Sequence, residues 1–163
     1  MNQASVKNKA SLITILGLPL TGIIDLIEEN NLSNEVFLSN DNAVGNYSFA
    51  VSLTEIERFA KICERNGAYQ TKTLQTTGGW HSPYISSALP LLDDHLRKII
   101  FCDPKIRLVD NTYVEETRLN ADTFCDTLLQ HLVKPVRWRE TIKLFSSKKI
   151  EHVYEISHFN LLS

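Results

Sequence analysis

Apolar residues switch between strand and helix spacing several times within the first 76 positions, and that alternation constrains the fold more than any other feature. Leu12 to Leu16 is short, apolar and β-branched, which suits a strand, and Gly17-Leu18-Pro19 ends it. Thr21 to Asn30 carries Ile23, Ile24, Leu26 and Ile27 on one broad face, a helix with Asn30-Asn31 as its stop. Glu35 to Leu38 reads as a second strand, and Asn40-Asp41-Asn42 with Gly45 as a turn. Tyr47, Phe49 and Val51 alternate with smaller residues, as a third strand would. Thr54 to Asn66 sets Ile56, Phe59, Ala60, Ile62 and Cys63 at helical spacing before a Gly67 stop. Tyr69 to Thr76 closes the series as a fourth strand.

The order βαββαβ describes a ferredoxin-like lobe, assigned to residues 1–77. Residues 78–163 read differently. Ser87 to Phe101 predicts a helix with Leu89, Leu92, Leu96, Ile99 and Ile100 inward, and Ile106 to Val109 a short buried strand. Asn111 to Asn120 is a polar loop, and Asn120 can cap a helix from Ala121 to Val133. Lys134-Pro135 breaks it, Arg137 to Ser147 starts another helix, and His152 to Ile156 predicts a last strand. Two strands cannot make a covered parallel sheet, so this half reads as part of a larger α/β unit with association-prone edges.

The stretch with the most chemical content is Gly78-Gly79-Trp80-His81-Ser82-Pro83. Ser82 suits an N-cap and Pro83 the first helical position, so His81 is fixed at the mouth of a helix. An imidazole titrates near neutral pH, and a fixed one is a natural proton carrier. A lone histidine before a helix is also an ordinary loop residue, because a base needs a nucleophile and an orienting partner. Net charge is −2, which argues against a broad nucleic-acid footprint. Cys63, Cys102 and Cys125 form no CxxC pair, so neither a zinc site nor a disulfide framework is expected, and a reduced cytoplasm fits best. Met1 to Lys9 lacks the apolar core of a signal peptide, and no apolar run approaches the roughly 20 residues that span a bilayer.

Taken in order, five segments resemble the malonyl-CoA:acyl-carrier-protein transacylases. Gly78 to Pro83 is similar to that family's GAFHSP-type histidine segment, and Leu12 to Leu18 to its AVLGL strand. Ser39 to Tyr47 resembles its N-x-N-x-P-G-Q turn, with Val44 in place of proline and Asn46 in place of glutamine. Lys134 to Trp138 resembles S-P-V-R-W, and Val153 to Ser157 the strand before a G-P-G loop, where this chain has Ser157-His158-Phe159. The resemblance implies an α/β (α+β) fold: a ferredoxin-like small subdomain (1–77), then the C-terminal part of an α/β-hydrolase-like acyltransferase subdomain (78–163). No Gly-x-Ser-x-Gly nucleophile elbow occurs among the 163 residues, nor the family's carboxylate-clamping arginine or early glutamine segment.

The implied reaction is malonyl transfer from CoA to the phosphopantetheine thiol of acyl carrier protein through a serine ester. His81 corresponds to the general base, held by a backbone carbonyl of Gln130 or His131. Trp80 stands where the family has an aromatic crowding the acyl α-carbon, and Asn42 falls in the N-x-N turn of the substrate pocket. Trp80 can equally be a half-buried aromatic, and Asn40 and Asn42 plain turn residues. No metal or organic cofactor is implied; the partners are malonyl-CoA, acyl carrier protein and a separate chain carrying the elbow. Without an elbow the chain alone is expected to transfer no malonyl, so an inactive remnant or a subunit of a split enzyme is the first alternative.

Other residues have bland readings. Asp93-Asp94 is a solvated pair, Glu115-Glu116 lies in a polar loop, and His95, His152 and His158 lack metal-ligand spacing. A second alternative, an RNA-recognition module, shares the βαββαβ order and would stack bases on Tyr47 and Phe49. Eight acidic against six basic residues in 1–77 weigh against it.

Overall fold

The computed structural model describes residues 9–115 and 120–156. Its first part has the expected order: β1 (Ala10–Leu16), α1 (Leu20–Glu29), β2 (Val36–Ala43), β3 (Asn46–Ser52), α2 (Ile56–Arg65) and β4 (Gln70–Thr73). The sheet runs β2-β3-β1-β4, every neighbour antiparallel. Ile13 pairs with Phe49 and Ile15 with Tyr47, so one face carries the large apolar side chains. That face is covered by Ile23 and Ile27 of α1 and by Ile56, Phe59 and Cys63 of α2, all buried. Tyr47 and Phe49 are 2% and 1% exposed, so the rings an RNA-binding module would present are core residues.

The opposite face carries mostly small residues, Ala10 and Thr14 on β1 and Ser48, Ala50 and Ser52 on β3, beside Leu12 and Phe37. Thr14 Oγ1 and Ser48 Oγ share a hydrogen bond of 3.0 Å, which satisfies both hydroxyls. Small side chains there leave room for the segment that follows the sheet. Tyr84 packs edge-on against Phe37 of β2 at 5.4 Å between centroids, and its hydroxyl donates to the Glu35 carbonyl at 3.0 Å. The β2–β3 turn is confined to Val44-Gly45, the end of the stretch expected to turn, with Gly45 at φ +73°. Asn40, Asp41 and Asn42 belong to β2 instead, because each polar side chain finds a partner there. Asn40 accepts from Ser39, Asn42 donates to Asn46, and Asp41 pairs with Arg139.

After β4 come a 3₁₀ turn (Pro83–Ala88), α3 (Leu89–Leu96), α4 (Phe124–Val133) and α5 (Trp138–Ser147). Three expectations fail in this half. Ile106 to Val109 and His152 to Ile156 form no strand, and Ile106, Val153 and Ile156 are strongly exposed. The helix expected over Ser87 to Phe101 starts as the 3₁₀ turn and ends at Leu96, leaving Ile99 and Ile100 exposed rather than inward. An apolar β-branched run becomes a strand only beside another strand, and none stands next to these among the described residues. Ser157 to Phe159, Glu116 and residues 1–8 lie outside the described residues.

The helical half is fastened to the edge strand β2. Asp41 N–H donates to the Val136 carbonyl at 2.8 Å, and Val136 N–H to the Ser39 carbonyl at 2.8 Å. Beside this bridge, buried Asp41 Oδ2 receives Arg139 Nε at 2.9 Å and Nη2 at 2.6 Å. Asp41→Ala leaves the guanidinium without its partner and is expected to cost about 2 kcal/mol. Urea unfolding checks this, and an unchanged midpoint would count against the fastening role.

Candidate functional site

The Gly78 to Pro83 loop follows β4 and passes Ala10 on the face of the sheet away from α1 and α2. Gly79 makes that passage possible, since a Cβ on it would lie 3.0 Å from Ala10 Cβ and 3.0 Å from Tyr84 Cδ2. Gly79→Ala therefore has to shift the loop, with an expected loss of about 1–3 kcal/mol in a thermal melt. A melt equal to that of the unmodified chain would mean the loop is not held this tightly. Ser82 is the N-cap: its hydroxyl accepts from Tyr84 N–H at 3.3 Å and donates to the Gly79 carbonyl at 2.5 Å, with Pro83 at the first position of the turn.

Between these anchors His81 sits at φ +57°, a left-handed conformation that a residue with a Cβ adopts only when its surroundings enforce it. His81 Nδ1 lies 2.7 Å from the His131 carbonyl, which fixes Nδ1 as the protonated nitrogen because a carbonyl can only accept. His131 is in the last turn of α4, where carbonyls have no partner within the helix. Of the two carbonyls expected to orient the histidine, Gln130's instead receives Lys134 N–H at 2.9 Å. Nε2 of His81 has no hydrogen-bond partner among the described residues, so its lone pair is available. The ring is half-buried, and its pKa is lowered from the usual 6.5, first by burial, which the His131 carbonyl opposes. It is thus a neutral acceptor at pH 7.

Trp80 is half-buried and packs with Leu132 against buried Ile85 and Ala88, so it braces the His81 loop against α4. Asn42 stays at the far end of β2, its amide donating to Asn46 Oδ1 at 3.2 Å within the hairpin. Sequence reasoning misses a polar cluster behind His131. Asp110 Oδ1 accepts the N–H groups of Thr112 and Tyr113 at 2.8 and 2.6 Å, and Arg137 Nη1 donates to the carbonyls of the same two residues. Arg137 also pairs with Glu140. The local signal is the Asp110-Asn111-Thr112 turn composition, which is common to many loops. Cys63 is buried, and burial pushes its thiol up to about 12, with Glu64 adding to the shift, so it stays protonated. Among the described residues no cluster of His, Cys, Asp and Glu could hold a metal ion, and no helix is long and apolar enough to cross a membrane.

No family model matches the chain. It is 26% identical over 163 residues to the malonyl CoA-acyl carrier protein transacylase of Escherichia coli K12, covering all of this chain and 52% of that protein. The Bacillus subtilis polyketide biosynthesis malonyl CoA-acyl carrier protein transacylase PksC is 22% identical over 160 residues, 98% of this chain and 54% of that protein. Among solved structures, the transacylase from Coxiella burnetii superposes with a TM-score of 0.83 at 25% identity, over 91% of this chain and 48% of the other. A malonyl-transacylase solved in complex with a type II polyketide acyl-carrier protein gives 0.81 at 23% identity, over 90% and 48%. The chain thus spans about half the length of the curated relatives it matches. In sequence along its whole length and in fold, the chain is related to the C-terminal part of the malonyl-CoA:acyl-carrier-protein transacylases.

Proposed function

We propose that this chain supplies the proton-transfer part of a malonyl-transfer site. The substrates are malonyl-CoA and the phosphopantetheine thiol of an acyl carrier protein, and the attacking hydroxyl is a serine outside these 163 residues. The observation that carries this reading is the His81 geometry: Nδ1 is tied to a helix-end carbonyl and Nε2 is left open. Nε2 takes the serine proton as the hydroxyl oxygen adds to the thioester carbonyl. The C–S bond then breaks, the proton passes to the departing CoA sulfur, and a malonyl-serine ester remains. In the second half the carrier thiol gives its proton to Nε2 and its sulfur attacks the ester. The proton returns to the serine oxygen as the C–O bond breaks.

The lowered His81 pKa supports this role, since a base must be unprotonated at working pH. Transfer by the assembled enzyme is expected to rise with pH through a midpoint below 6.5 and then level off. The same depression has a stability consequence. The folded ring binds a proton less readily than the unfolded chain, so its contribution is present above about 6.5 and is lost as pH falls through the folded value. A rate profile with its rise above 6.5 would mean that another group is the base.

The reading is tested with this chain assembled with the polypeptide bearing the serine, assayed for malonyl transfer to acyl carrier protein. Transfer by the 163-residue chain alone would overturn the assignment of the nucleophile to another segment.

A further inference from the structure

Behind the His131 carbonyl lie three buried polar atoms with no hydrogen-bond partner: His131 Nε2, Asp110 Oδ2 and Asn111 Oδ1. The Asp110 side chain is 1% exposed, and its Oδ1 stands 3.6 Å from His131 Nε2. That is too long for a hydrogen bond, and it is an ion-pair distance whenever the ring carries a proton. A buried ring nitrogen and a buried carboxylate oxygen each carry a desolvation penalty when left alone. Asp110 Oδ1 is occupied by the Thr112 and Tyr113 N–H groups, so the carboxylate is fixed beside the His131 ring while its Oδ2 has no partner. We propose that Asp110 and His131 form a positioning pair for His81: the buried carboxylate holds the His131 ring, and the held residue presents its carbonyl to His81 Nδ1.

The inference goes beyond the backbone carbonyl used in the proposed mechanism, because it assigns work to the side chain of His131 and to a residue outside the loop. Its link to proton transfer rests on that reading. Other charged and titratable groups surround the pair. On α4 and just after it, Lys134 Nζ donates to the Tyr113 hydroxyl at 3.3 Å and lies 4.8 Å from that ring's centroid. On α5 and at its start, Arg137 is engaged by Glu140 and by the Thr112 and Tyr113 carbonyls, and it also feels the charges of Asp110 and Glu115. From the loop, His81 itself faces the His131 carbonyl, and a charge on His131 opposes a charge on His81. On this proposal the Asp110 carboxylate offsets that opposition.

The test is a double-mutant cycle read at His81 by NMR of the nitrogen-15 histidine-labelled full chain, which requires no turnover. Both variants keep the local backbone contacts. Asp110→Asn retains an oxygen for the Thr112 and Tyr113 N–H groups, and His131→Gln retains the main-chain carbonyl. Asp110→Asn is expected to lower the His81 titration midpoint by about 0.3–1 pH unit and to weaken the Nδ1–H signature of the carbonyl hydrogen bond. His131→Gln is expected to raise the midpoint, and adding Asp110→Asn to it should change little more. The pair is refuted if Asp110→Asn leaves His81 unchanged, or displaces it equally with and without the His131 ring. A malonyl-transfer failure alone leaves these NMR outcomes intact, so the two ideas fail separately.

Discussion

His81→Ala is expected to lower malonyl transfer by the assembled enzyme at least about 10³-fold at pH 7.5. The expected loss is large because, in the proposed mechanism, the ring serves both half-reactions: it takes a proton from the serine hydroxyl and later from the carrier thiol. It should appear in kcat and kcat/KM together, since the imidazole acts on the transferring proton and not on the bound acyl group. The substitution also removes what holds the loop in its left-handed conformation. An alanine at this position lacks the Nδ1 tie to the His131 carbonyl that helps enforce φ +57°, so the loop relaxes without the sheet unfolding. A circular dichroism melt near that of the unmodified protein, beside a lost activity, separates chemistry from folding. Activity within tenfold of the original would remove His81 from the mechanism.

Phe59→Ala is expected to cost about 3–5 kcal/mol, a large share of a small domain's total stability. Phe59 is 0% exposed at the centre of the sheet–helix core, and its ring meets Phe49 edge-on at 5.6 Å and 70°. Truncation removes that contact and leaves a ring-sized void between α2 and β3 that the antiparallel sheet cannot collapse to fill. Phe59→Leu retains most of the volume and should cost clearly less. Denaturant unfolding measures both. A loss below about 1 kcal/mol for alanine would mean that the core lies elsewhere.

The first half is legible because its information is local. Tyr47, Phe49 and Val51 alternate with serine and alanine, and Ile56, Phe59 and Cys63 repeat at helical spacing, so strand and helix each declare which side is buried. The hairpin turn reads too long from sequence because Asn40-Asp41-Asn42 has turn composition, whereas in the strand each of these side chains has a partner in Ser39, Arg139 or Asn46. Arg139 lies far along the chain, and nothing near Asp41 announces it. Ile106 to Val109 and His152 to Ile156 carry strand composition without strand neighbours, and pairing is not a local property. The helix start at Ser82-Pro83 and the position of His81 are readable from capping chemistry alone. The approach of Asp110 to the His131 ring is not, because Asp110 comes from a distant loop.

These observations converge on one atom, Nε2 of His81, left open by a ring whose other nitrogen is occupied. Its task is most directly measured in a single turnover: malonyl-CoA is mixed with the assembled enzyme without carrier protein, and malonyl-serine formation is followed by intact mass. Rapid formation of the ester is expected with His81 in place, and formation slowed by orders of magnitude with His81→Ala. Ester formation at the same rate without the imidazole would contradict this role.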